Sequence, residues 1–173
     1  MPFVHVCPLS RIADTVTFAG ASHLVSLIND DTLVVRPDSI PEENHLFLGV
    51  NDITEPQEGM VLPGEEHVRR LIAFAQAWDR RQAMVIHCYA GISRSTAAAF
   101  ITLCLTRPER EEHEIALRLR DASRFATPNP RLVMIADEML NRRGRMVEAI
   151  AGIGKGEMAF ESIPFALALE ERP

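Results

Sequence analysis

His87-Cys88-Tyr89-Ala90-Gly91-Ile92-Ser93-Arg94-Ser95 is the stretch on which the reading turns. Before it lies Ala83-Met84-Val85-Ile86, an apolar run too short for a helix and therefore a buried strand. After it the pattern becomes helical from Ser95 to Leu105 and is closed by Pro108. A loop that leaves a strand and opens a helix gathers backbone N–H groups around one point at the positive end of the helix dipole, which makes an anion site. Gly91 lets the loop take a positive φ, and small Ala90 and Ser93 let the backbone curl round a tetrahedral anion. Arg94 stands at the mouth of the loop, where its planar fork chelates two oxygens. Tyr89, Ala90, Gly91, Ile92, Ser93 and Arg94 are therefore the expected substrate-binding residues, with His87 supporting the loop by hydrogen bonding.

In such a nest of donors a thiolate is favoured over a thiol, which makes Cys88 the expected nucleophile. Its attack on phosphorus gives a covalent thiophosphate and a second, hydrolytic step. The leaving oxygen then needs a proton. Asp52, in Leu48-Gly49-Val50-Asn51-Asp52-Ile53-Thr54-Glu55-Pro56, follows an expected strand whose end faces the same rim of the sheet, with Glu55 and Glu58 as rivals in the same loop. An Arg at a helix start is otherwise badly placed against the dipole, which supports a site role for Arg94. Ser95 reads equally as a helix N-cap and as a site residue, and the two roles are compatible.

Further outward, Phe3-Val4-His5-Val6, His23 to Ile28, Leu33-Val34-Val35 and His45-Leu46-Phe47-Leu48 read as strands, with Asn29-Asp30-Asp31 as a hairpin turn between the second and third. Ser10 to Phe18 reads as a short helix capped by Ser10. Gly64 to Arg81 is an amphipathic helix, apolar at Val68, Leu71, Ile72, Ala75 and Trp78, acidic at its start and basic at its end. Helices also follow at Glu109 to Ala122 and at Pro130 to Arg143, the latter stopped by Gly144. This order predicts an α/β fold, a central mostly parallel sheet flanked by helices. Residues 1–143 form the expected domain. Residues 144–173, Gly-punctuated and then apolar from Ile163 to Leu167, form an extension packed on the domain or on a partner.

The 173 residues are 47% hydrophobic, enough for one sizeable core. A net charge of −6 and a pI near 5.5 argue against a nucleic-acid binder. The three cysteines, Cys7, Cys88 and Cys104, have neither zinc-ligand nor disulfide spacing, so no metal is expected, and Cys104 and Cys7 read as a core residue and a strand end. With no secretory signal pattern and no apolar run of membrane length, a cytoplasmic protein without membrane partners is expected.

At this point the sequence resembles the protein tyrosine phosphatase superfamily, in its compact dual-specificity branch. His87, Cys88, Ala90, Gly91, Ser93, Arg94 and Ser95 match HCxAGxSRS, the Asp52 loop matches, and Thr127-Pro128-Asn129 looks like the family's Ser-Pro-Asn turn, which makes Asn129 a supporting residue. The resemblance implies the cysteine phosphatase fold with Cys88 as nucleophile, Arg94 as phosphate ligand, Asp52 as general acid and then base, Ser95 assisting the leaving thiolate, and no cofactor. The partner it implies is a phosphorylated protein, bearing phosphotyrosine and also phosphoserine or phosphothreonine. Tyr89 and Ile92 are uncharged where the phosphoinositide-directed members carry lysines, and residues 144–173 fall outside the resemblance. The same residues also admit a phosphatase for a small phosphate ester such as a nucleotide, sugar or inositol phosphate, a phosphate-binding module without turnover, and a redox thiol protein.

Overall fold

In the computed structural model, which describes residues 3–169, the apolar runs Phe3–Pro8 (β1), His23–Ile28 (β2), His45–Gly49 (β3) and Met84–Cys88 (β4) are parallel strands. A fifth strand, Phe165–Ala168 (β5), pairs antiparallel with β1, and the sheet order is β3-β2-β4-β1-β5. Met1, Pro2 and residues 170–173, which belong to the expected sections 1–143 and 144–173, lie outside the described residues.

Helices cover both faces, as the burial of β2 from Leu24 to Ile28 and of β4 throughout requires. Ile12–Ala19 (α1) covers one face, where Ile12 and Val16 pack on Cys7, Leu24 and Val85. The other face carries Glu65–Ala77 (α2), Arg94–Thr106 (α3), Glu112–Ala122 (α4), Pro130–Met139 (α5) and Arg145–Ile153 (α6) around the larger core. Helix α3 is buried from Arg94 to Cys104, so the loop that opens it lies between a fully buried strand and a largely buried helix.

Several boundaries differ from expectation for identifiable reasons. Leu33 to Val35 is not a strand: Leu33 is 83% and Val35 74% exposed, and Asn29 closes a local turn with Thr32 rather than a hairpin. Ser10 does not cap α1; its hydroxyl donates to Glu161, and Arg11 occupies the cap position. Helix α2 stops at Ala77 because Trp78 is extended and Arg80 has a φ of 59°, so Arg80 and Arg81 lie beyond it. The expected 130–143 helix ends at Met139, since Asn141, Arg143 and Gly144 all take left-handed φ angles. Asp137 then caps the next helix, its carboxylate accepting from the N–H groups of Gly144 at 2.6 Å and Met146 at 2.7 Å, where the dipole favours an anion.

The segment after Arg143 thus supplies α6 and β5. Met146, Ala149 and Ile150 of α6 join the larger core, as do Leu167 of β5 and Leu169 just after it. No helix among the described residues is long and apolar enough to cross a membrane.

Candidate active site

Ile28, Gly49 and Cys88 end three parallel strands at one rim of the sheet, and the loop 88–93 rises from that rim into α3. Its carbonyls are turned outward and tied down. Tyr89 O accepts from Leu9 N–H at 3.0 Å, Ala90 O from Ser162 N–H at 2.8 Å, and Ile92 O from Thr127 N–H at 2.9 Å. Ser93 O accepts from Asn129 N–H at 3.2 Å. In a planar trans peptide the N–H of the following residue points the opposite way, so this anchoring aims the loop's donors at its centre. Gly91 shows the result, donating to Cys88 Sγ at 3.3 Å. With a φ of +70° it needs glycine, and a Cβ there would also lie 2.8 Å from the backbone of Cys7 and Pro8.

The floor of the cleft is buried. Cys88 is 2% exposed, with the Ser95 hydroxyl 3.1 Å from its sulfur. Arg94, 6% exposed, donates through one terminal nitrogen to Asn29 Oδ1 at 2.9 Å and to Val50 O at 2.8 Å. Its buried Nε has no hydrogen-bond partner among the described residues, leaving a donor for an anion in the loop.

The rim is open. Asp52 is exposed, and its Oδ1 accepts from the Ser93 hydroxyl at 2.7 Å and from Asn129 Nδ2 at 2.8 Å. Asn129 is buried and held at both ends of its amide, since its Oδ1 caps α5 by accepting from the N–H groups of Arg131 and Leu132. Both of these bonds to Asp52 fall on one oxygen, Oδ1. Glu55 and Glu58 are exposed and make no bond to the loop among the described residues. Tyr89 is 53% exposed at the loop's outer edge, while Ile92 is half-buried.

His87 lies beneath the loop, Nδ1 3.2 Å from the Cys88 carbonyl and Nε2 2.6 Å from the Ser26 hydroxyl. Burial, followed by the nearby His45 and Arg94 charges, outweighs the carbonyl bond and pulls its pKa down to about 4, so the ring is neutral at physiological pH. Cys7 pairs with His87 in the ladder, one position before Cys88, and therefore faces the α1 side of the sheet, where burial pushes its thiol up to about 12. Cys104 is likewise pushed up by burial, in the larger core. Neither is a ready resolving thiol for Cys88.

Sequence reading brings Cys88, Arg94, Ser95, Asp52, Ser93 and Asn129 into one cleft but misses Asn29, Ser26, His45 and Ser162. Asn29 directly follows β2, and the rule that sites lie at the carboxyl ends of parallel strands would have found it. Ser162 carries no sequence signal; its N–H reaches the loop only because β5 returns beside β1.

The same fold occurs in solved structures. PTP-2 phosphatase of Cydia pomonella matches with a TM-score of 0.61 at 18% identity, over 78% of this chain and 84% of that one. DUSP15 matches at 0.60 and 17% identity, over 90% and 94% of the two chains. PTPMT1 in complex with PI(5)P matches at 0.60 and 14% identity, over 87% and 93%. No family model and no curated protein sequence matches the chain. The chain has the α/β fold of the compact dual-specificity phosphatases, and the parallel is one of architecture.

Proposed function

We propose that the chain is a cysteine-dependent phosphoric monoester hydrolase, with phosphotyrosyl protein as its principal substrate and phosphoserine or phosphothreonine also admitted. One observation carries the reading: Cys88 Sγ sits at the floor of a donor-lined loop, within hydrogen-bond reach of Gly91 N–H and the Ser95 hydroxyl and next to a buried arginine. In the first step the Cys88 thiolate attacks phosphorus and the P–O ester bond breaks. The electron pair goes to the leaving oxygen, which takes the proton of Asp52. The inward N–H groups and Arg94 hold the phosphoryl oxygens, where charge lies during transfer. In the second step water attacks the cysteinyl-phosphate and gives its proton to Asp52. The S–P bond breaks, its pair returns to sulfur, and the Ser95 O–H stabilises the thiolate released.

The protein-directed substrate is supported by the uncharged Tyr89 and Ile92 in the loop and by the exposed Glu55 and Glu58 on the Asp52 segment, since a polyanionic substrate would call for cations at such places. The test is to give the purified protein phosphotyrosyl, phosphoseryl and phosphothreonyl peptides, nucleoside and sugar monophosphates, and PI(5)P. Samples quenched in acid during turnover are then analysed by mass spectrometry. The expected outcome is fastest release of phosphate from the phosphotyrosyl peptide, with one phosphoryl group on the fragment holding Cys88. Faster turnover of a small ester or of PI(5)P would overturn the substrate, and phosphate release without a phosphorylated Cys88 fragment would overturn the mechanism.

A further inference from the structure

Three strands contribute a row of polar side chains across the sheet face that α1 covers, and the mechanism above does not use them all. His45 Nε2 on β3 is 2.8 Å from Ser26 Oγ on β2, and the same oxygen is 2.6 Å from His87 Nε2 on β4. The row ends at the Cys88 carbonyl, 3.2 Å from His87 Nδ1. Ser26 and His87 are fully buried and lie directly opposite one another in the ladder.

The protons in this row are determined by elimination. A carbonyl oxygen only accepts, so His87 Nδ1 carries a hydrogen. The buried ring is neutral, so its Nε2 is bare and takes the Ser26 proton. Ser26 has then spent its only proton, and its bond to His45 requires that His45 Nε2 donate. Every donor therefore points the same way, from the edge strand toward the base of the loop, and bonds aligned head to tail polarise one another.

We infer that Ser26 and His45 are positioning residues of the site: they lock His87 as the tautomer that holds the Cys88 carbonyl outward. The peptide following Cys88 then aims the Tyr89 N–H into the loop, completing the set of inward donors that the anchored carbonyls of Tyr89, Ala90, Ile92 and Ser93 begin. Through this row the edge strand that leads to Asp52 is coupled to the loop that holds Cys88. The inference rests on the phosphatase reading only for its consequence, since the lock itself is a property of the resting protein.

The test is long-range ¹H–¹⁵N NMR of the histidine rings in the full chain at neutral pH, with the rate of Cys88 alkylation by iodoacetamide measured on the same samples. The wild type should show His87 as the Nδ1–H tautomer and His45 as the Nε2–H tautomer. Ser26→Ala should populate both tautomers of His87 and slow alkylation by about three- to tenfold, the worth of one buried hydrogen bond. Ser26→Thr, which restores the hydroxyl on a β-branched residue suited to a strand, should recover both values. His45→Gln, whose side-chain amide donates from nearly the same place, should stay closer to wild type than His45→Ala. A wild-type His87 protonated on Nε2 would overturn the inference, and that measurement needs no variant to fold. So would a Ser26→Ala protein whose alkylation rate equals that of the wild type. Neither readout depends on turnover: absence of phosphate release would sink the proposed function and leave the lock standing.

Discussion

The floor of the cleft and its rim are built from different materials. Cys88, Ser95 and Arg94 are buried, and each is bonded to a neighbour that belongs to a strand end, the loop or α3. Asp52 stands in water on an irregular segment, held by two bonds to one of its oxygens. The difference follows from the chemistry proposed for each. Stabilising charge on phosphorus requires donors that do not reorganise, which a close-packed floor supplies. Moving a proton twice requires a group that meets both the leaving oxygen and the incoming water, which an exposed rim supplies.

The comparison is broken most severely by Cys88→Ser. An alcohol in place of a thiolate should abolish turnover of every ester while leaving the donors of the loop able to bind phosphotyrosyl peptide, measured by calorimetry beside the rate assay. Measurable turnover close to wild type would mean that the floor is not where the chemistry happens. At the rim, Asp52→Asn should lower kcat by about 10²–10⁴ for a phosphotyrosyl peptide and far less for nitrophenyl phosphate, whose leaving group departs without a proton. A loss of equal size on both substrates would show damage to the floor instead. If the variant is silent and Glu55→Gln or Glu58→Gln is not, the acid belongs to one of those residues.

The smallest effect concerns stability and sharpens the contrast from the buried side. His87 has a folded pKa of about 4 against 6.5 in the unfolded chain, so between these values the unfolded state binds more protons. Its contribution is fully present above pH 6.5 and is lost as the pH falls toward 4, amounting to about 3 kcal/mol at most. His5, His23 and His45, also lowered chiefly by burial, act in the same direction. Urea unfolding at pH 7 and pH 5 should show the loss, and His87→Gln should reduce it. An unchanged slope in that variant would remove His87 from the account.

Much of this arrangement is legible in the chain because the informative residues carry local signals. The run Met84 to Ile86, the glycine of the loop and the apolar helix after it define the strand, turn and helix that hold Cys88, and the Asn129-Pro130 pair announces the start of α5 through its cap and first-turn proline. What is not legible depends on tertiary contact. Leu33, Val34 and Val35 have the residues of a strand but no neighbouring strand to pair with, and two of the three stay in solvent. Ser10 looks like a cap until Glu161, distant in sequence, takes its hydroxyl. Ser26 and His45 look like ordinary strand residues, and only the lateral order β3-β2-β4 puts them in line with His87. Cys7, one candidate partner in the redox reading, is turned by the alternation along β1 to the opposite face from Cys88.

The position of β1 between β4 and β5 bears on how the molecule is made. Val4 is made before both of its ladder partners, Met84 and Leu167. Until both exist, a nearly fully buried strand has unpaired backbone and invites pairing with other chains. Closing contacts so remote in sequence also slows folding. Ser162, which ties down Ala90 of the loop, arrives at the same late stage as β5. The loop around Cys88 therefore acquires its anchor at Ala90 only after Ser162 has been made, and a nascent polypeptide carries the thiol long before the cage that would activate it.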